Sequence, residues 1–356
     1  SRRYTIDHMN ESPHRIVLRT PNWVGDAVMS TPALRALRAL YPNAHIALLA
    51  RPYVMPIYEA APWFDEIIPC DLHGAHAGLR GLLRLAGHLR SQRFDLAVIL
   101  PNSFGSALLM LLAGVPRRVG YRRDGRGWLL TDALEPFRSG GRIIPRNMVD
   151  YYFELCHYLG ARNCERRVEL FTTPEAERSA CEILAKTNAD RPLVGLNPGG
   201  AFGSSKLWPA ERFAALSDIL VERLGTQCIL FAAPSEVDIA QRVLASARHP
   251  ILWPGPQHLS TVKSLIRRCR LLVTNDTGAR HIAVAFDRPV VVLMGATSSL
   301  YTDANLDKTI IVRKRVHCGP CQKKHCTLDH RCMRAITVED VMRAVERLWN
   351  ASHRMG

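Results

Sequence analysis

Short apolar runs alternate with amphipathic stretches through the first 120 residues. Residues 15–19 read as a strand and 33–40 as a helix; 45–50 and 79–89 repeat the pair, and 94–100 and 107–112 repeat it again. Such alternation predicts βαβ units around a parallel sheet. A second series follows a polar segment at 172–190: strands at 193–197, 227–232, 271–274 and 289–294, with helices at 211–223, 237–247, 261–268 and 281–286. A last helix is expected over 337–349. The pattern predicts an α/β chain of two Rossmann-like domains, 1–165 and 166–336, with a C-terminal helix at 337–356. Ligands of open α/β sheets bind at the carboxyl ends of strands, so the cleft between the two domains is the expected site.

The stretch Asn275-Asp276-Thr277-Gly278-Ala279-Arg280-His281 leaves an apolar run and enters another. It reads as strand, glycine turn and helix, and a helix N-terminus offers partial positive charge and free N–H groups to an anion. Asp276 and His281 could then hold a sugar or the phosphate beside it, although Asp276-Thr277 would also serve as a simple helix cap.

Three more loops leave predicted strands. In Asn22-Trp23-Val24-Gly25-Asp26, Gly25 allows a sharp turn, and Asp26 is either a cap or a general base kept ionised by the helix dipole. Residues 197–209 carry Gly199, Gly200 and Gly203, two serines and Lys206, which suit close backbone approach to phosphate without forming a Walker A loop. Glu236, in Ala232-Ala233-Pro234-Ser235-Glu236, is a weak candidate for holding a ribose.

Charge narrows the ligand. The chain of 356 residues carries a formal +15, which calls for an acidic partner: nucleic acid, an anionic membrane face or a phosphorylated substrate. Arginines 117, 118, 122, 123, 126, 138, 142 and 146 stand against only Asp124, Asp132 and Glu135, a composition suited to gripping phosphate or carboxylate. No aromatic interleaving accompanies them, so nucleic acid is not expected as a partner.

Pro-Asn-Trp-Val-Gly-Asp (21–26), Leu-Pro-Asn-Ser-Phe (100–104), Asn-Pro-Gly-Gly-Ala-Phe-Gly-Ser-Ser-Lys-Leu-Trp-Pro (197–209) and Asn-Asp-Thr-Gly-Ala-Arg-His (275–281) together resemble the ADP-heptose:lipopolysaccharide heptosyltransferases of glycosyltransferase family 9. The resemblance spans nearly the whole chain in order. It implies a GT-B fold and inverting transfer of heptose from ADP-L-glycero-D-manno-heptose to the inner-core heptose of lipopolysaccharide. The family's catalytic aspartate falls on Asp26 and its diphosphate-binding lysine on Lys206. Its donor site falls on Gly200, Ala201, Ser205, Lys206, Asp276, Thr277, Gly278 and His281, with Glu236 in a poorly matching loop. The N-terminal half would hold a lipid A-linked acceptor, with Asn22, Trp23, Asn102, Ser103, Arg122 and Arg123 as candidates. No Asp-x-Asp pair occurs, so the chemistry is expected to need no metal or other cofactor.

Cys318-x2-Cys321-x4-Cys326-x5-Cys332 is a candidate structural zinc site, the alternative being reduced thiols that pack a loop. The longest uninterrupted apolar stretch, residues 107–115, is far below the about 20 residues a spanning helix needs. No signal peptide is evident, and Met9 is expected as the native start, with residues 1–8 a vector-derived leader. The expected location is cytoplasmic, peripheral to the inner face of the inner membrane. Competing readings are another heptosyl-transfer step, a GT-B-like sugar-nucleotide epimerase and a basic nucleotide-binding module.

Overall fold

The computed structural model describes residues 12–72, 74–162, 165–200 and 203–353, so the expected start at Met9 and the site candidate Ala201 lie outside the described residues. The chain divides into two compact units. One comprises the described residues up to Asn22, with Ser30–Met55 and Ala61–Arg166; the other comprises Trp23–Met29, Pro56–Ala60 and the chain from Arg167 on. Two short N-terminal pieces, one of them carrying Asp26, thus belong to the C-terminal unit.

In chain order the first half runs β1 (Arg15–Arg19), α1 (Val24–Met29), α2 (Thr31–Leu40), β2 (His45–Ala50), α3 (Met55–Tyr58), β3 (Glu66–Pro69), α4 (Gly78–Ser91), β4 (Leu96–Ile99), α5 (Phe104–Leu112), β5 (Arg117–Tyr121), β6 (Asp132–Leu134), the hairpin β7 (Arg138–Ser139) and β8 (Arg142–Ile143), and α6 (Met148–Tyr158). The second half runs α7 (Pro174–Leu184), β9 (Leu193–Asn197), α8 (Ala210–Leu224), β10 (Gln227–Leu230), α9 (Val237–Ser246), β11 (Ile251–Leu252), α10 (Leu259–Arg268), β12 (Leu271–Asn275), α11 (Gly278–Ala285), β13 (Val290–Leu293), β14 (Thr309–Val312), α12 (Arg331–Arg334) and α13 (Val338–His353).

Each unit holds one six-stranded sheet, ordered β3-β2-β1-β4-β5-β6 and β11-β10-β9-β12-β13-β14. Every pairing within both sheets is parallel. Both orders are that of the doubly wound nucleotide-binding fold, in which the direction of winding reverses between the first and fourth strands. In the second sheet that point lies between β9 and β12, where Asn197 pairs in register with Thr274. The loop after β9 and the turn after β12 therefore leave the sheet side by side.

Both faces of each sheet are covered, so the inner strands are continuous apolar runs: β2, β4 and β9 are buried almost throughout. On one face of the first sheet, Leu85 and Leu89 of α4 pack with Ala107, Leu109 and Met110 of α5. The second core joins Trp208 and Phe213 to Val341 and Val345 of α13.

The polar segment 172–190, expected to be a linker, contains α7. Thr173 caps it by accepting from the Ala176 amide at 3.2 Å, and Pro174 stands in its first turn. Its buried stripe is only Ala176 and Ala180, too slight to register as periodicity. The edge strands β3, β6, β11 and β14 were also not anticipated, being two to four residues long.

Candidate functional site

Asp276, at the carboxyl end of β12, is the hub of the site in the C-terminal unit. Lys206 Nζ donates to its Oδ2 at 3.0 Å and to its backbone carbonyl at 2.9 Å. Thr297 Oγ1 donates to the same Oδ2 at 2.7 Å, while Arg280 Nη1 donates to Oδ1 at 3.1 Å. Burial pulls Asp276 toward the neutral acid, but the Lys206 and Arg280 charges and the Thr297 hydroxyl outweigh it, holding the carboxyl well below the usual range. Arg280 is fixed from its far side by Thr302, through Oγ1 and the carbonyl, both at 3.0 Å. Two cations on one carboxylate leave this pocket a net positive charge.

Two asparagines tie the adjoining loops. Asn197 Nδ2 donates to Thr274 Oγ1 at 2.9 Å and to Thr277 Oγ1 at 2.8 Å. Asn275 Nδ2 donates to the carbonyls of Pro198 and Gly199, and its Oδ1 accepts from the Trp208 amide. Glu236 accepts the Gly200 amide on Oε1 at 2.6 Å and the Ala233 amide on Oε2 at 2.9 Å, so it positions the loop that carries Gly200. Ser205 is held from below, its amide donating to Lys324 O at 3.2 Å and its hydroxyl to Lys323 O at 2.5 Å.

The helix α11 begins at Gly278, three residues before the expected start, with Thr277 extended in front of it. Its first amides are free of side-chain caps and so available to an anion. Against it packs α1, and the approach is close enough to require glycine on both sides. A Cβ on Gly278 would lie 2.6 Å from Val24 Cγ1, and one on Gly25 would lie 2.9 Å from His281 Cδ2. Burial, then the nearby Arg280 charge, push the His281 imidazole below its ordinary range, which keeps it neutral.

Asp26 sits in the first turn of α1. Burial pushes its carboxyl up to about 6, Lys206 lowering it only in part. Among the described residues no hydrogen-bond donor engages it. An unpaired carboxylate with that affinity is poised to accept a proton near neutral pH.

The chain matches Glycosyltransferase family 9 (heptosyltransferase) over residues 82–331. The chain belongs to glycosyltransferase family 9. It is 33% identical over 316 residues to lipopolysaccharide heptosyltransferase 2 of Salmonella typhimurium, covering 84% of this chain and 88% of that protein. It is equally 33% identical over 312 residues to the Escherichia coli K12 protein of that name, with the same coverage. Among solved structures, that of E. coli ADP-heptose lps heptosyltransferase II shares 29% identity and superposes with a TM-score of 0.78 over 95% of this chain and 99% of the other. An E. coli heptosyltransferase solved with ADP-2-deoxy-2-fluoro heptose shares the fold, at 17% identity and a TM-score of 0.68 over 94% of this chain and 99% of the other. The chain is accordingly a glycosyltransferase of GT-B fold, which sets aside the epimerase and binding-module readings.

Of the residues singled out in the sequence, Lys206, Asp276, Thr277, Gly278, His281 and Asp26 come together in one unit, with Gly200, Ser205 and Glu236 in or bracing the adjoining loop. Trp23, half exposed, belongs to the same unit. Asn22, Asn102, Ser103, Arg122 and Arg123 belong to the other. There Arg19 Nη2 donates to Asn22 Oδ1 at 2.6 Å, and Asn102 Oδ1 accepts from Tyr151 OH at 3.0 Å. Ser103 and Ser106 share a hydroxyl hydrogen bond of 2.8 Å.

The eight arginines do not form one free patch. Arg126 is wholly buried, donating to the carbonyls of Tyr121 and Pro101, and burial lowers it to about 10. Arg117 pairs with Asp132, Arg122 with Glu135 and Arg146 with Glu154. Arg118 donates to the Leu129 and Val115 carbonyls. Thr297 and Thr302 join the site from a segment that no motif marks, whereas Asn197 and Arg280 lie within the motifs at 197–209 and 275–281.

Cys332 is buried while Cys318, Cys321 and Cys326 are partly exposed, and all four are free thiols. Burial, with the neighbouring thiols adding to it, pushes the Cys332 thiol up. Among the described residues no three His, Cys, Asp or Glu side chains are gathered closely enough to hold a metal ion. The cysteine-bearing loop contacts the loop after β9, through Lys323 and Lys324 to Ser205, and the Gln322 amide donates to the Ala296 carbonyl.

Proposed function

We propose that the chain transfers heptose from ADP-L-glycero-D-manno-heptose to the inner-core heptose of lipid A-linked lipopolysaccharide, with inversion and without a metal. The relatives named heptosyltransferase 2 support this step over the others of the family. The observation that carries the mechanism is Asp26, unpaired and raised to about 6, in the same unit as the cationic pocket at Asp276.

In this reading Asp26 takes the proton of the acceptor hydroxyl as that oxygen bonds to the anomeric carbon. The bond from that carbon to the β-phosphate oxygen breaks, and its electron pair stays on ADP. Lys206 and the amides at the start of α11 stabilise the charge that develops there. His281, kept neutral, offers a hydrogen bond without competing for the proton. The acceptor is a lipid, so the enzyme works peripherally at an anionic membrane surface; among the described residues no helix is long and apolar enough to cross a membrane.

The deciding experiment supplies ADP-heptose with lipid A cores carrying Kdo alone or Kdo plus one heptose, and detects the product by mass. Transfer only to the second core supports the proposal. Transfer only to the first would assign the earlier step, and transfer to neither would refute both.

A further inference from the structure

One face of the N-terminal unit is apolar, basic and almost devoid of acid. Over residues 78–112, which span α4 and α5, the chain has four arginines and a single acid, Asp95. That acid is turned inward, accepting from the amides of His14 and Arg15 at 2.8 Å. The helices α4 and α5 lie side by side over the same core, joined near their ends by Arg90 Nη2 donating to Leu112 O at 2.7 Å.

Their outer surfaces are not those of ordinary solvated helices. On α4 the exposed stripe repeats Leu79-Arg80, Leu83-Arg84 and Gly87-His88, with Leu79 70% exposed. Helix α5 has no charged residue and shows Phe104 and Leu111 outward. Beside Phe104, at 5.9 Å between ring centres, stands Trp128, 69% exposed. Leucine and aromatic side chains set among arginines fit a phospholipid interface, where the apolar groups enter the acyl boundary and the guanidiniums meet phosphate.

We propose that this α4–α5–Trp128 face is the surface by which the enzyme sits on an anionic bilayer. The proposal rests on the reading of the acceptor as membrane-borne, and it adds which part of the chain makes the contact. Charge argues for lipid over a second copy of the chain. A two-fold contact through this face would set the arginines of one copy against those of the other, with no acid on either helix to pair them.

The test is co-sedimentation of the full chain with vesicles of phosphatidylcholine alone, or of equal parts phosphatidylcholine and phosphatidylglycerol. Two variants are compared, Leu79→Ser with Leu83→Ser and Trp128→Ser, and Arg80→Glu with Arg84→Glu. The wild type is expected to bind the anionic vesicles only, and each variant to bind them at least about tenfold more weakly. Turnover on a delipidated core acceptor should stay within about twofold in both variants, which separates this proposal from the transferase reading that the same assay tests in the wild type. Unaltered vesicle binding by the variants, or none by the wild type, overturns the proposal. So does loss of turnover on the lipid-free acceptor, which would make the face part of the acceptor site. A dimer in light scattering that the variants abolish without any lipid binding would assign the face to self-association instead.

Discussion

Lys206 and Asp276, 70 positions apart in the chain, meet at 3.0 Å with both side chains almost fully buried. The contact joins the loop after β9 to the turn after β12, and those are neighbouring strands at the point where the sheet reverses its winding. Arg280 takes the other oxygen of the same carboxylate. Asp276 therefore holds the lysine in place without cancelling the charge of the pocket, since two cations face one anion.

Replacing Asp276 with Asn should destabilise the fold by about 3–5 kcal/mol, because it leaves two buried cations facing a neutral amide. A carboxyl held below its ordinary value of 3.8 contributes stability above that pH and loses it as pH falls through the lower folded value. The deficit should thus be full at neutral pH and shrink in acid. Urea unfolding of wild type and variant across pH checks this; equal midpoints at neutral pH would contradict it.

Asp26 has the opposite sign. Its carboxyl is raised to about 6, so it stabilises the fold below its ordinary 3.8 and loses that contribution as pH rises through about 6. Asp26→Asn should be more stable than wild type by about 1–3 kcal/mol above neutrality and indistinguishable from it in acid. The same variant should lose at least about 100-fold in turnover with ADP affinity retained, and wild-type kcat/KM should rise with pH to a plateau above about 6. A variant of lower stability but near-normal turnover would remove Asp26 from both roles.

Much of this was legible in the chain. Strands such as β1, β2 and β9 were readable to the residue because buried parallel strands are continuous apolar runs. Lys206, Asp276 and Asp26 were marked by strand-end loops. What stayed hidden depends on long-range packing. Nothing local to Thr297 or Thr302 says that a loop after β13 returns to Asp276 and Arg280. Nor does the spacing of arginines reveal that Arg126 points into the core while Arg122 points out. The assignment of Asp26 to the C-terminal unit follows from two glycines that allow α1 to approach α11, a fact no propensity encodes.

Gly278→Ala should show that approach directly. Its new methyl would stand 2.6 Å from Val24 Cγ1 and force α1 away. Overpacking of this kind costs about 1–3 kcal/mol, and a displaced Asp26 should lower kcat more than it raises the ADP-heptose KM. Ala at Gly87, where nothing lies within 4 Å, is the control and should leave both constants unchanged. Equal behaviour of the two variants would mean that α1 does not depend on the contact.

Activity is expected to survive EDTA, because the cationic pocket and the amides of α11 already offset the diphosphate charge. Turnover lost on chelation and restored by Mg²⁺ or Mn²⁺, with the circular dichroism unchanged, would demonstrate a metal in the donor site.

The arginine-rich segment should divide by burial. Arg126 is fully buried and satisfies the carbonyls of Tyr121, Pro101 and Ser103, so Arg126→Ala orphans those acceptors and opens a cavity. A loss of about 2–4 kcal/mol is expected, read as a lower Tm. Arg122 and Arg123 behave differently. The Arg122 pair with Glu135 is more than half exposed on both sides and contributes at most about 1 kcal/mol, while Arg123 is partly buried and hydrogen-bonded to Tyr151. Replacing both with Ala should lower Tm by less than Arg126→Ala does and raise the acceptor KM, an effect that added NaCl mimics because exposed charges are screened beyond about 8–10 Å. The donor KM should barely move, since the pocket built on Lys206 and Asp276 belongs to the other unit. Kinetics in which the double variant changes only the donor KM would take the acceptor role away from both arginines.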